Sequence, residues 1–190
     1  IQCRLLELTE SPDVLQTLTD GSLADERVGL VLVLAPLTKL FGNKGMEQLQ
    51  MPVIMAGGAY DIAAPIVQEQ LAAFQSLTTP EKYFYLVENL SHTTALTRAI
   101  LGLVYPDSGL VERFNASEPR LFNLMATLWI AHGKVFLLEE QTYSPYLTSA
   151  YVETVSVDPT RLHLLRSLPT CLSSQRSNAS DCRFDRVKIN

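Results

Sequence analysis

The sequence predicts an α/β fold on a parallel sheet of about three strands that the chain by itself leaves incomplete, and three features predict it. The runs Val28 to Ala35, Pro52 to Ala56 and Lys82 to Val87 are short and nearly all apolar. Runs of that length without polar alternation are how parallel strands read when helices cover both faces of the sheet. Stretches of helical period separate the runs, which is the alternation of a parallel α/β sheet. Three strands also leave an edge of the first one unpaired, so more sheet is expected than these residues encode.

The elements follow in order. Ile1, Leu5, Leu6 and Leu8 around Arg4 and Glu7 give an opening helix. Ser11-Pro12-Asp13 begins another, with Pro12 at its first helical position, Val14, Leu15 and Leu18 on one face, and Thr19-Asp20-Gly21 as its end. The first strand, Val28 to Ala35, stops at Pro36, and a loop through Phe41 to Gly45 leads to the second strand at Pro52 to Ala56. Gly57-Gly58 reads as the turn after it. Ile66 to Phe74 is amphipathic, with Ile66, Val67, Leu71 and Phe74 as candidate core, and Thr78-Thr79-Pro80 breaks it. The third strand, Lys82 to Val87, gives way to a loop from Glu88 to Thr93. A long helix is expected from Pro119 to Glu140, on an apolar stripe of Leu121, Leu124, Met125, Leu128, Val135 and Phe136, and a shorter one from Tyr146 to Val155. With no repeat or low-complexity linker, residues 1–168 form part of a single domain and residues 169–190 a tail.

Composition narrows the class of partner. Of 190 residues, 47% are hydrophobic and 18% charged, which is a globular balance, and the net charge of -5 offers no basic surface to nucleic acid. The mean hydropathy of +0.12 is high for a free-standing soluble domain and fits a chain that lies against another segment. The longest apolar run is far too short to span a bilayer, so no transmembrane segment is expected. A chain that opens at Ile1 directly into a helical pattern is expected to be part of a longer or processed polypeptide. Cys171 and Cys182 bracket a Ser- and Asn-rich stretch. They are either a disulfide of the tail, which would favour a periplasmic or other extracytoplasmic location, or two free thiols. No Cys or His spacing suggests a zinc site.

Chemistry concentrates at two positions. Ligands of open α/β sheets bind beyond the carboxyl ends of the strands. Asp61 follows the second strand and His92 the third, 31 positions later, so one crossover sets them on neighbouring loops. A carboxylate beside imidazole Nδ1 fixes the tautomer and steadies the imidazolium formed in proton transfer, which makes Asp61 and His92 the candidate catalytic pair. The alternative for Asp61 is a helix N-cap, and for His92 a surface histidine. His132 and His163 read as structural residues. Asn89-Leu90-Ser91, Asn115-Ala116-Ser117 and Asn178-Ala179-Ser180 fit the short glycosylation pattern.

Three stretches carry a resemblance: Gly57 to Pro65 (GGAYDIAAP), Gln70 to Tyr83 (QLAAFQSLTTPEKY) and Leu86 to His92 (LVENLSH). Together they resemble the acid and histidine regions of the predicted dienelactone hydrolases of cyanobacteria, relatives of platelet-activating-factor acetylhydrolases and of polyester-cleaving cutinases. The similarity runs from about Val28 to Leu168. It implies the C-terminal portion of an α/β-hydrolase fold, with Asp61 as triad acid and His92 as base. It also implies carboxylic esters or lactones as substrates, and no metal or organic cofactor. Tyr60 stands where the family often has an acidic residue, and Thr93 where it commonly has an aromatic one.

The larger departure is that no Gly-x-Ser-x-Gly occurs in the chain. That motif holds the nucleophile on a tight turn and helps to form the oxyanion hole. Ser91 lacks the flanking glycines. Two readings follow. In the first, the chain contributes acid and base to a serine hydrolase whose N-terminal half, upstream or on a second chain, brings the nucleophile. In the second, it is a non-catalytic binding or assembly subunit that keeps a hydrolase half-fold.

Overall fold

The computed structural model describes residues 25–92, 100 and 102–167. The two helices expected before Asp25, Cys3, Thr93, and the tail with Cys171 and Cys182 lie outside the described residues. The architecture is mixed α/β: a four-stranded, mostly parallel sheet flanked by helices. The strands are β1 (Val31–Leu34), β2 (Val53–Gly58), β3 (Lys82–Val87) and β4 (Leu162–Leu165), in that spatial order. β1, β2 and β3 run parallel, with Leu34 beside Ala56 and Ala56 beside Tyr85; β4 runs antiparallel to β3.

Apolar runs with no visible alternation still alternate in space, because successive side chains of a strand point to opposite faces. Ile54, Ala56, Tyr83, Tyr85 and Val87 pack on one face beneath α3 (Leu110–Leu137) and α4 (Ser149–Val155). Val53, Met55 and Phe84 pack on the other face, against Met46 of α1 (Gly42–Glu47) and Ala73 and Phe74 of α2 (Ala72–Ser76). On α3, Leu121, Met125, Leu128, Ala131 and Val135 are buried, the period-3.6 stripe of a helix lying on a sheet.

Several expectations need correction. The sheet has a fourth strand, β4, which the sequence reading left out. The first strand is not covered on both faces: Leu32 and Leu34 are exposed, and among the described residues β1 pairs only with β2. Gly57 and Gly58 end β2 itself rather than forming the turn after it. Helix α3 begins at Leu110, after Gly109 in the left-handed region (φ 66°), so Pro119 lies inside it rather than at its start. Residues Gln141–Leu147 form a 3-10 helix, and the α-helix α4 starts only at Ser149, where Thr148 Oγ1 accepts from Tyr151 N at 3.2 Å.

The segment Ile66–Leu71 is π-helical, with the Ala72 N–H reaching back five residues to Val67 O. A π-turn carries extra residues per turn and rotates the face that follows. Val67, expected in the core, is therefore exposed, whereas Glu69 and Gln70 are buried.

Candidate active site

β2 and β3 end in register, Gly58 beside Val87, and the loops that follow stay hydrogen-bonded to each other. Ala59 N donates to Val87 O at 2.9 Å and Tyr60 N to Leu90 O at 3.2 Å. That close approach requires glycine, since a Cβ on Gly58 would fall 2.0 Å from Leu90 O. The far side of the His92 loop is tied towards β4. Glu88 N donates to Arg161 O at 3.0 Å, Glu88 Oε1 lies 2.8 Å from His163 Nε2, and the Asn89 amide donates to Pro159 O.

These constraints bring Asp61 to His92. Asp61 Oδ2 lies 3.3 Å from His92 Nδ1, slightly longer than a tight hydrogen bond. The Asp61 side chain is fully buried, and that of His92 keeps 33% of its surface. Asp61 Oδ1 accepts from Ala63 N at 3.0 Å and Ala64 N at 2.7 Å, so one oxygen caps the local turn while the other faces the imidazole. Asp61 therefore caps a turn and not a helix, since Pro65 is the N-cap of the segment that follows and no side chain caps it, and Oδ2 is left to face the imidazole. Gln70 Nε2 completes the carboxylate's surroundings, 3.4 Å from Oδ2 and 2.8 Å from Ala64 O. Chemically, a buried carboxylate on Nδ1 of a part-exposed imidazole can orient the ring for proton transfer through its other nitrogen.

The remaining candidates separate from this pair. Ser91 is buried, and its Oγ has no hydrogen-bond partner among the described residues, so it makes no serine–imidazole contact with His92. His132 is wholly buried on α3, with Nε2 2.9 Å from Tyr85 Oη and the ring stacked on Phe136. Burial, reinforced by the charge of Arg166, pulls its pKa down to about 3, so it is a neutral core residue. Tyr85 is pushed up by the same burial, and Tyr83 up to about 12. His163 pairs with Glu88 at the edge of the sheet. The buried Asn89 spends its amide on Pro159 O, which leaves the Asn89-Leu90-Ser91 pattern without an accessible acceptor.

Among the described residues no group of three or more His, Cys, Asp or Glu could hold a metal ion, and no helix is long and apolar enough to cross a membrane. Sequence reasoning missed Gln70 and Asn89. For Asn89 the signal was available, an amide in a short loop between a strand and the candidate base. No protein-family model matches this chain, and no curated protein matches it.

Proposed function

We propose that this chain contributes the acid and base of a serine hydrolase acting on carboxylic esters or lactones, with the nucleophile on a segment outside these residues. The observation that carries the reading is the contact of Asp61 Oδ2 with His92 Nδ1 at the carboxyl ends of adjacent parallel strands. In the proposed reaction the nucleophilic serine attacks the carbonyl carbon, and its proton passes to His92 Nε2. Asp61 holds the ring and stabilises the imidazolium. His92 then returns the proton to the leaving alkoxide. Water repeats the sequence on the acyl-enzyme and frees the acid.

The resemblance of GGAYDIAAP and LVENLSH to the acid and histidine regions of dienelactone hydrolases supports the same reading, as does an α/β sheet compatible with part of a hydrolase fold. In this reading, with no Gly-x-Ser-x-Gly in the chain, the nucleophile comes from elsewhere, and the same absence is what the assembly-subunit reading rests on. The test is turnover of an activated ester by the chain alone and by the chain co-expressed with its upstream coding segment. The expected result is no turnover alone, turnover together, and a loss of several orders of magnitude in His92→Ala. Full activity in the isolated chain overturns the proposal. An assembled pair that binds but never turns over establishes the assembly subunit instead.

A further inference from the structure

We infer that Gln70 is a positioning residue for the Asp61–His92 pair, an inference that rests on the acid–base reading of that pair. Burying an amide costs free energy unless it is hydrogen-bonded, and Gln70 is wholly buried with only Nε2 bonded, its Oε1 having no hydrogen-bond partner among the described residues. A regular α-helix would have turned Val67 inward with Leu71 and Phe74. Instead, the π-turn at Ile66–Leu71 exposes Val67 and carries Gln70 into the interior. The neighbouring strand makes room: a Cβ on Gly57 would lie 1.7 Å from Gln70 Oε1.

Two acceptors, Ala64 O at 2.8 Å and Asp61 Oδ2 at 3.4 Å, converge on Nε2 and so fix which way round the amide sits. The shorter bond anchors the amide to the turn that Asp61 Oδ1 caps. The longer one reaches the oxygen that faces His92. Gln70 thus ties both ends of the Asp61–Ala64 turn to one point and keeps Oδ2 directed at the ring. Nearby charges are engaged elsewhere. Glu69 accepts from Lys39 N at 3.0 Å with Lys39 Nζ at 3.8 Å, and Glu88 pairs with His163.

The experiment is nitrogen NMR of the histidine side chains in the full chain, read for the tautomer of neutral His92. In the wild type the proton is expected on Nδ1, facing Asp61 Oδ2. Gln70→Met keeps the length and removes the donor; Gln70→Asn keeps the amide and shortens its reach. Both are expected to shift His92 towards the Nε2–H tautomer while the resonances of His132, which lies in the other core layer, stay in place. An unchanged His92 tautomer in both variants overturns the inference. So does loss of the fold in both, which would make Gln70 a purely structural residue, or a wild-type ring already protonated on Nε2. The outcome is independent of catalysis. The predicted tautomer shift in an assembly that hydrolyses no ester would overturn the acid–base reading and leave the positioning of Asp61 by Gln70 standing.

Discussion

Gly58, the last residue of β2, lies tight against the His92 loop, and a single methyl group tests that approach. Gly58→Ala places a carbon against the backbone oxygen of Leu90, which cannot swing aside as a flexible side chain can. Overpacking of this kind costs about 1–3 kcal/mol, read from denaturant unfolding, and it separates the His92 loop from Asp61. Unchanged stability would contradict the packing described. His132 gives a pH signature. Its pKa falls from an ordinary 6.5 to about 3 on folding, so between these values the unfolded chain takes up a proton that the folded chain refuses. Its contribution to stability is complete above about pH 6.5 and is lost as pH falls towards about 3. His132→Gln can keep the bond to Tyr85 without titrating. The stability gap between wild type and variant will narrow from about pH 7 to about pH 4.5, and a constant gap would contradict the assignment. Asp61 and His92 were legible because each ionisable residue follows an apolar run within a few positions. Gln70 was not, because a polar residue on an amphipathic helix is assigned to the wet face, and nothing in Ile66–Leu71 announces a π-turn.

Among the elements, β1 is the least satisfied. Leu32 and Leu34 lie on the α3 side of the sheet, in register with Ile54 and Ala56, yet stay exposed. On the other side Val31 and Val33 line an apolar cavity of about 240 Å³ with Phe41, Met46 and Met55. In the isolated chain, Leu34→Lys is expected to change unfolding free energy by less than about 0.5 kcal/mol, whereas Ile54→Ala costs about 2–5 kcal/mol. A large loss from Leu34→Lys alone would mean that this face is already covered. The three parallel strands were readable because long apolar runs have few other uses. β4 was hidden because Leu162 to Leu165 is too short for a period to be told from chance. The start of α3 was misplaced because Pro119 looked like a first helical residue, whereas the helix continues through it from the turn at Gly109.

Across the whole molecule, the Asp61–His92 pair sits at one end of a sheet whose edge strand β1 exposes Leu32 and Leu34 on one face. The sequence made the pair's place in the sheet readable through strand order alone. It holds no Gly-x-Ser-x-Gly, so the nucleophile of the proposed reaction was not legible in it. In the proposed account the segment that pairs with β1 also brings that serine, so covering the edge and completing the site are one event. The most direct measurement is trapping with an activated phosphonate ester, which esterifies an activated serine, on the chain co-expressed with its upstream segment, the labelled residue being located by mass spectrometry. The account predicts one labelled serine outside residues 1–190, with labelling slowed in both Asp61→Asn and His92→Ala. Label on Ser91 or any other serine of this chain, or labelling indifferent to Asp61 and His92, would contradict it.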